Sequence, residues 1–378
     1  MTEDHRPDIE LLLLAARPRL TVTEVDQIGE LIVRHAADLD WGWLIEQAHL
    51  NKVLPLVAQN FLDHHLYPTL PDSRLRFRYE QLFRLVADGN SARNDTLLRE
   101  LAVILRTFER EGISALVRKG AVVIEEAYGG DRRFRSMNDL DLMFEPEDVA
   151  RAIAVLETLG YARGKATALR RTIAPLSRSE AVYARLKVPT VTLLRPSTDR
   201  FVDYLVVDIC LNQFLPDSGY DLPAGGFAHR ARPISLCGEP ALMFTAEEMV
   251  IDLAVHLFKE ATTLRFIESG KDLCLSKFLD IAQFVKSSPE LSWPTLYERC
   301  ARYRIAEPVY FALHFTDLLY PGVIPAEVLV PLRPENLEYL NQFGAADKHH
   351  GTWSHESFLD RMFDRDRATK APPSRALV

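Results

Sequence analysis

The sequence predicts an α+β protein in which a small mixed β-sheet core is flanked by helical regions on both sides. Apolar residues recur at helical spacing before residue 110 and again after residue 245, while a strand–helix–strand pattern lies between them. Hydrophobic residues make up 47% and charged residues 26%, as in a chain with a true core. We expect four regions: N-terminal helices at 1–110, the core at 111–235, C-terminal helices at 236–343 and a flexible tail at 344–378.

Composition restricts the class of protein further. The net charge of -8 argues against a protein that coats nucleic acid. The four cysteines are scattered without a C-x-x-C pair, which predicts a reduced, intracellular protein with no zinc module. The apolar run at 9–16 is too short for a signal peptide or a membrane span, so we expect a cytoplasmic protein with no membrane partner.

The N-terminal region is predicted to be helical throughout. Helical spacing extends over 25–37, 41–58 and 75–108, and prolines at 68 and 71 interrupt the chain before the last of these. No cluster of reactive side chains stands out in this region. We therefore interpret it as a support for the core.

The core begins after Gly112 with a short apolar strand at 113–117, followed by Lys119-Gly120 and a helix at 121–128. The next strand, 138–144, alternates with period two. One of its faces carries Leu140, Leu142 and Phe144, and the other carries Asp139, Asp141 and Met143. A helix then opens at Pro146 and ends at Gly160, where a C-terminal cap belongs.

The second half of the core contains a basic segment at 163–187, with seven lysines and arginines against one acid, Glu180. Two strands follow at 190–194 and 201–210, and then a loop at 216–226. The basic segment is open to three interpretations: a lid over phosphates, a contact for an anionic acceptor, or a solvated loop with a helix.

The C-terminal region is predicted to be helical from Thr245. The sequence Thr245-Ala246-Glu247-Glu248 predicts a capping box. Helical spacing then covers 246–259, 271–286, 294–304 and 307–319. Pro372-Pro373-Ser374 predicts a frayed end.

Three D-x-D pairs occur in the chain, at residues 38 and 40, 139 and 141, and 364 and 366. The first is interpreted as a helix boundary before Trp41 and the last as a solvated pair. The middle pair lies on a strand, where residues i and i+2 share a face and two carboxylates repel each other. A divalent cation such as Mg²⁺, with phosphates completing its shell, relieves that repulsion. Two exposed strand residues remain the alternative.

Two further features favour a phosphate site. Lys119-Gly120 stands where a strand meets a helix, and the glycine allows close approach to a phosphate at the helix N-terminus. Asp208 lies within an apolar strand, where an acid is costly to bury unless it is paired or metal-bound. The alternatives are a turn glycine beside an exposed lysine, and a strand-end acid that reaches solvent.

These motifs together resemble the uncharacterised nucleotidyltransferase family of the DNA polymerase β-like superfamily. The resemblance rests on Lys119-Gly120, Tyr128, Arg135, Asp139-Leu140-Asp141-Leu142 and Gly160-Tyr161, and it covers roughly residues 8–330. Trp41 with Trp43, and Asp280-Ile281, also fit the family layout. The sequence departs from the pattern at Cys210, where the family has histidine, and at Gly120-Ala121, where the superfamily has glycine-serine.

The resemblance implies a polymerase β-like core that binds Mg²⁺ or Mn²⁺ through Asp139, Asp141 and Asp208, with Asp208 accepting the proton of the acceptor. Lys119 and Gly120 would hold the phosphates of the NTP donor. Arg135 would contact phosphate or orient the Asp139 loop, with a surface arginine as the alternative. Lys277 would reach the triphosphate, unless it only forms an i,i+3 ion pair with Asp280.

Four histidines are interpreted without a catalytic role. His256, in an apolar helix, is expected to be a packed and satisfied side chain. His349, His350 and His355 lie in the predicted tail without a carboxylate at a metal-binding spacing.

The implied activity is transfer of a nucleoside monophosphate from ATP or another NTP to a hydroxyl, with release of pyrophosphate. The acidic chain favours a small molecule or a protein over RNA as acceptor. Two alternatives stay open: an inactive nucleotide-binding sensor or scaffold, and a helical interaction protein. The sequence does not indicate an oligomeric state.

Overall fold

The N-terminal region forms helices, as the apolar spacing predicts. The computed structural model describes residues 6–67, 77–167, 171–344 and 351–373. The helices of the first part are Pro7–Ala15 (α1), Val22–Arg34 (α2), Trp41–Leu50 (α3), Leu54–Asp63 (α4) and Glu80–Arg110 (α5). Asp40 accepts a hydrogen bond from the Trp43 N–H at 2.9 Å, which confirms that it marks a helix boundary.

The helix predicted over 41–58 is in fact two helices. Lys52 adopts a left-handed backbone conformation, with φ of 58°, between α3 and α4. Pro55 lies in the first turn of α4, the helical position at which its missing N–H costs nothing. Periodic apolar residues continue across this break, which is why the spacing alone did not show it.

The core is a six-stranded mixed sheet. Its strands are Leu116–Arg118 (β1), Leu140–Met143 (β2), Thr190–Pro196 (β5), Tyr204–Cys210 (β6), Ala231–Leu236 (β7) and Glu239–Phe244 (β8), in the order β5-β6-β2-β1-β8-β7. The pairs β2 with β6 and β1 with β8 are parallel, and the remaining neighbours are antiparallel. Helices Gly120–Glu126 (α6) and Val149–Thr158 (α7) follow β1 and β2.

The hairpin β7–β8 was not predicted, and it extends the sheet beyond the expected core boundary at residue 235. Its six paired positions run from Ala231 with Phe244 to Leu236 with Glu239. Cys237 and Gly238, both at positive φ, make the two-residue turn. Of the two hairpin strands, β8 pairs with β1, so the hairpin belongs to the core sheet.

The basic segment contains regular structure. A two-stranded hairpin, Lys165–Thr167 (β3) with Thr172–Ala174 (β4), precedes the helix Arg178–Lys187 (α8). Ser177 and Glu180 form a capping box at the start of α8. No residue of α8 is buried, so this helix lies at the surface.

The C-terminal region forms the helices Ala246–Thr262 (α9), Leu264–Glu268 (α10), Leu275–Ser287 (α11), Trp293–Tyr303 (α12), Ala306–Leu319 (α13) and Ala326–Leu329 (α14). The capping box predicted at Thr245 does not form. Instead, the Thr245 hydroxyl accepts a hydrogen bond from Arg299, and Glu248 is buried beside Arg230. Burial of Glu248 in the core outweighs the local reciprocal cap.

Residues 351–373 pack against the C-terminal helices, although a flexible end is predicted there. The strands Gln342–Phe343 (β9) and Gly351–Thr352 (β10) pair, and the helix Phe358–Phe363 (α15) follows. The ring of Phe358 stacks on Phe315 of α13 at 3.8 Å. Arg367 pairs with the buried Asp272 at 2.9 Å. These long-range contacts are invisible to local periodicity.

The C-terminal acids and histidines have structural partners where the structure describes them. His355 Nε2 lies 2.8 Å from Asp364 Oδ2, which also accepts from Lys370, so Asp364 is not simply solvated. His349 and His350 lie outside the described residues. Within the described residues, no helix has the length and apolar character needed to cross a membrane.

Candidate active site

The candidate site begins with an ion pair between β1 and β2. Antiparallel pairing sets Arg118 opposite Asp141, and the next residue, Lys119, places Nζ 2.7 Å from Asp141 Oδ1. Lys119 has a positive φ of 47°, a strained conformation for a residue with a side chain. Burial lowers the pKa of Lys119, but Asp141 together with Asp139 and Asp252 outweighs this and raises it above its usual value.

Asp208 stands beside Asp141 because β2 and β6 are parallel and these two residues are direct partners. Thr192 on β5 donates a hydrogen bond to Asp208 Oδ1 at 2.5 Å. Burial, reinforced by the negative charge of Asp141, raises the pKa of Asp208. Burial also acts on Asp141, but Lys119 and Arg118 hold the pKa of Asp141 below its ordinary value.

Asp139 immediately precedes β2 and is half-buried. Burial and then the charge of Asp141 raise its pKa to about 6, and Asp208 adds to the effect. Asp141 thus raises the pKa of both other carboxyl groups, and Asp208 raises that of Asp139, which indicates that the three side chains lie near one another. Cys210, the departure from the family pattern, is buried at the end of β6 and donates to the Asn212 carbonyl.

Helix α5 holds the loop that leads to Asp139. Asn94 donates to the carbonyls of Arg132 and Arg135 at 2.7 and 2.6 Å. One turn earlier, Asn90 accepts a hydrogen bond from Ser136, and Arg93 donates to the Met137 carbonyl at 2.9 Å. The N-terminal region thus supports the site, as its sequence indicates, by hydrogen bonds to the backbone.

Arg135 is turned toward the C-terminal helices. Its Nε lies 2.9 Å from Asp280 of α11, which also accepts from the Tyr128 hydroxyl at 3.1 Å. This geometry orients the Asp139 loop, which is one of the two roles implied for Arg135. The positive charge of Arg135 still acts on Asp139 and lowers its pKa. The same geometry also explains the positions of Tyr128 and Asp280 in the motif.

Gly120 begins α6 and is buried against the same loop. A Cβ added to Gly120 would lie 2.9 Å from Met137 Sδ and 3.1 Å from a terminal nitrogen of Arg135. The glycine is therefore required for close packing of the loop on α6, whatever it also contributes toward a phosphate.

Helix α9 contributes charged side chains that the sequence analysis passed over. Asp252 forms a buried ion pair with Arg118, and Glu260 pairs with Lys277. Lys277 also donates to the Lys271 carbonyl at 2.6 Å, so the i,i+3 ion pair that was considered with Asp280 does not form. Lys277 is thus engaged with α9.

Lys259 is the principal site residue that sequence reasoning missed. Burial, and then the neighbouring charge of Lys119, lowers its pKa to about 8. Its charge in turn lowers the pKa of Asp141 and Asp208. The signal was present: positions 252, 256, 259 and 260 place ionisable residues on one face of an otherwise apolar helix.

His256 lies on that face of α9 but is only partly satisfied. Its Nε2 is 3.6 Å from Glu260, whereas its Nδ1 is buried without a hydrogen-bond partner in the described structure. Burial, then Lys119 and Lys259, lowers its pKa well below the usual value. The imidazole is therefore neutral, and the expectation of a fully satisfied histidine is wrong for one nitrogen.

The three carboxylates suit a hard divalent cation in their chemistry. Carboxylate oxygens are the ligands that Mg²⁺ prefers. Burial and then the negative charge of Asp141 raise the pKa of Asp139 and Asp208, and a bound cation would relieve the repulsion from Asp141. Within the described ranges, no three Asp, Glu, His or Cys side chains are close enough to form a ready ligand set. Lys119 supplies the counter-charge at Asp141.

Two cavities have a lining residue next to this acidic cluster, although none of the three carboxylates lines either of them. The first, called the aromatic cavity, has a volume of about 400 Å³ and reaches Lys259. It is lined by Phe214, Leu215, Ser218, Gly219, Tyr220, Phe258, Lys259, Thr262, Thr263, Glu307, Tyr339, Gln342 and Phe343. Across it, the Tyr220 hydroxyl donates to Glu307 at 2.5 Å.

The second, called the N-terminal cavity, has a volume of about 530 Å³ and reaches Asn138, the residue before Asp139. It is lined by His49, Leu50, Lys52, Leu54, Pro55, Val86, Gly89, Asn90, Arg93, Ser136, Asn138 and Phe201. The two cavities share no lining residue.

Three of the six described cations of the basic segment pair with acids at the surface. Lys165 pairs with Glu180, Arg171 with Asp203 and Lys187 with Asp217. None of these side chains lines either cavity beside the carboxylates. Arg170 lies outside the described residues.

Asp141 on β2 beside Asp208 on the parallel β6, with Asp139 immediately before β2, is the arrangement that the resemblance to nucleotidyltransferases implies. A family model described as "uncharacterised nucleotidyltransferase" matches residues 37–321, most of the chain. The chain therefore belongs to this uncharacterised nucleotidyltransferase family, which supports nucleotidyl transfer as its general activity and agrees with the resemblance stated above.

Among solved structures, the chain is similar to an antigenic nucleotidyltransferase-like protein from Paracoccidioides brasiliensis. The two share 11% sequence identity with a TM-score of 0.36, over 63% of this chain and 93% of that one. A comparison with curated proteins gives no match.

Proposed function

We propose that this protein transfers a nucleoside monophosphate from an NTP, ATP or another, to a hydroxyl group of an acceptor, with Mg²⁺ or Mn²⁺ as cofactor. The observation that carries the proposal is the register of Asp141 with Asp208 on parallel strands, with Asp139 immediately before the strand of Asp141. Burial and the charge of Asp141 raise the pKa of Asp139 and Asp208, so keeping both ionised costs stability unless a cation is bound.

Asp139, Asp141 and Asp208 would hold the metal ions, and Lys119 would then be released from Asp141 toward a phosphate. The ions, once bound, neutralise phosphate charge and acidify the acceptor hydroxyl. Lys119 and Lys259 supply positive charge for the triphosphate, and Gly120 contributes through its backbone. Arg135 and Lys277 act as positioning residues, because their side chains are already paired.

The reaction is an in-line displacement at the α-phosphorus. The acceptor oxygen forms a bond to the α-phosphorus, the bond from that phosphorus to the oxygen bridging to the β-phosphorus breaks, and pyrophosphate leaves with the electron pair. The hydroxyl proton passes to a carboxylate, for which Asp208 is the best placed, since Thr192 fixes one of its oxygens and leaves the other free to accept.

The aromatic cavity is the proposed site of the nucleobase. Tyr220, Phe258 and Phe343 offer ring faces, and Lys259 joins this cavity to the carboxylates. Stacking on aromatic rings tolerates every base, so selectivity would come from polar groups such as Glu307 and Gln342.

Thermal unfolding with each NTP, with and without Mg²⁺, tests the donor site. An NTP at 100 times its dissociation constant should stabilise the protein by ~2.7 kcal/mol. The shift should be lost in Asp139→Asn/Asp141→Asn and kept in Asp38→Asn/Asp366→Asn, which removes two exposed acids from the other D-x-D pairs. Absence of any Mg²⁺-dependent shift would favour the interaction-protein alternative.

Turnover separates an enzyme from an inactive nucleotide sensor. We expect the NTP that stabilises the protein to release pyrophosphate when candidate acceptors are present. This release should be lost in Asp208→Asn. Binding of the NTP without release of pyrophosphate under any of these conditions would identify the protein as a sensor or scaffold.

A further inference from the structure

We infer that the N-terminal cavity is the acceptor site and that the acceptor is a small, hydroxylated molecule carrying a phosphate group. This inference rests on the proposed nucleotidyl transfer and assigns its second substrate. It is drawn from the charge of the cavity, its position beside Asp139, and the separate cavity that is left for the nucleotide.

The charge of the cavity is opposite to that of the chain. The protein carries a net charge of -8, yet Lys52 and Arg93 line this cavity and no aspartate or glutamate does. A cationic recess in an acidic protein selects an anion by charge complementarity. The aromatic cavity, in contrast, combines its lysine with Glu307.

The cations of the cavity are available to a ligand. Arg93 is half-buried and uses Nε on the Met137 carbonyl, and no described residue accepts a hydrogen bond from its two terminal nitrogens. Lys52 is held at the break between α3 and α4, where its N–H donates to the His49 carbonyl, and its ammonium pairs with no described carboxylate. A phosphate could therefore bind a guanidinium fork and an ammonium group.

The cavity also lies where an acceptor hydroxyl is needed. Asn138 and Ser136 line it and belong to the loop that ends at Asp139. The charge of Asp139 acts on the guanidinium of Arg93, which shows that the cavity and the carboxylates are electrostatically connected. A molecule bound by its phosphate near Lys52 and Arg93 can extend a hydroxyl past Asn138 toward the carboxylates.

The size of the cavity favours a small acceptor over a macromolecule. A volume of about 530 Å³ is typical of sites that enclose a metabolite. The polar groups of Asn90, Ser136 and Asn138 can pair with sugar or polyol hydroxyls, while Phe201 and Val86 cover an apolar side. A sugar phosphate carries both the hydroxyl groups and the phosphate group that these residues would bind.

The test uses the full chain loaded with Mg²⁺ and a non-hydrolysable analogue of the NTP that stabilises it, so that phosphate cannot enter the donor site. Inorganic phosphate, ribose 5-phosphate and ribose are titrated by calorimetry. We expect the two phosphates to bind and ribose not to bind. Lys52→Asn, which tolerates the left-handed backbone, should weaken binding of both phosphates about tenfold.

The matched control is Lys286→Asn, which removes an exposed charge on α11 that lines neither cavity. Binding of the NTP analogue must be unchanged in both variants. Absence of phosphate binding to the loaded protein, or equal binding by wild type and Lys52→Asn, would overturn the acceptor assignment and leave the proposed function standing. Failure of the analogue to bind wild type would instead contradict the proposed function itself.

Discussion

Arg135 and Asp280 form an ion pair, with Nε 2.9 Å from Oδ2, that joins the loop before β2 to helix α11. The Asp280 side chain is 4% exposed and that of Arg135 16%, so both charges are removed from water. A buried pair of this kind fixes geometry more than it adds stability. Here it fixes the loop whose last residue is Asp139.

Removal of one partner of this pair should be costly. We expect Asp280→Asn to lower the free energy of unfolding by about 3 kcal/mol, because the Arg135 charge stays buried without a counter-charge. Urea unfolding measures the loss. The control is Glu30→Gln, which breaks an exposed pair with Arg34 and should cost under about 1 kcal/mol. Equal losses in the two variants would show that the pair is not effectively buried.

A side chain at position 120 should displace the Asp139 loop. We expect Gly120→Ala to destabilise the protein by about 1–2 kcal/mol, since its Cβ would meet Met137 Sδ at 2.9 Å in a filled space. Gly29→Ala is the control: no atom lies within 4 Å of the added carbon, and alanine favours the helix by up to about 1 kcal/mol. Calorimetric unfolding measures the stability of both variants. If Gly120→Ala is as stable as wild type, the Asp139 loop moves aside without cost.

The acidity of Asp139 makes stability depend on pH. Its folded pKa of about 6 exceeds the ordinary 3.8, so its contribution to stability is lost as pH rises from about 4 through 6. Without divalent cations, Asp139→Asn should be more stable than wild type by about 2 kcal/mol at pH 7.5. The difference should vanish near pH 4. Urea unfolding across this pH range tests the prediction. A difference in the free energy of unfolding that does not change with pH would show that the Asp139 carboxylate is exposed to water.

Lys259, like Asp139, should lower the stability of the free protein, although its charge is positive and we assign it to nucleotide binding. Its folded pKa of about 8 lies below the usual 10.5, so the free energy of unfolding rises as pH increases from about 8 to 10.5. Lys259→Met should therefore stabilise the free protein at pH 7, by about 2 kcal/mol, while it weakens NTP binding. Unfolding and NTP titration on the same variant test both parts. A destabilised variant with normal NTP affinity would contradict the role given to this lysine.

The sequence was sufficient for the features that local patterns encode. The alternation at 138–144 predicted β2, and Gly160 has the positive φ expected after a helix. The family resemblance implied Asp208 as the third carboxylate, but its pairing with Asp141 follows from a parallel register that no local pattern contains.

The features that were missed depend on tertiary contacts. Lys259 looks like the solvent face of an ordinary helix until Lys119 is placed against it. Thr245 has the spacing of a capping box, but its hydroxyl accepts a hydrogen bond from Arg299 and does not cap the helix. The strands β7 and β8 carry prolines at 233 and 240, which weakened the strand pattern.

The parallel pairing of β2 with β6 requires a crossover, and the chain supplies one that includes α7, the β3–β4 hairpin, α8 and β5. The entropic cost of closing such a connection grows only with the logarithm of its length. Its outermost part, α8, buries no residue. Helix α8 can therefore be lengthened, recharged or replaced while Asp141 and Asp208 remain neighbours, whereas β5 has to stay because its Thr192 binds Asp208.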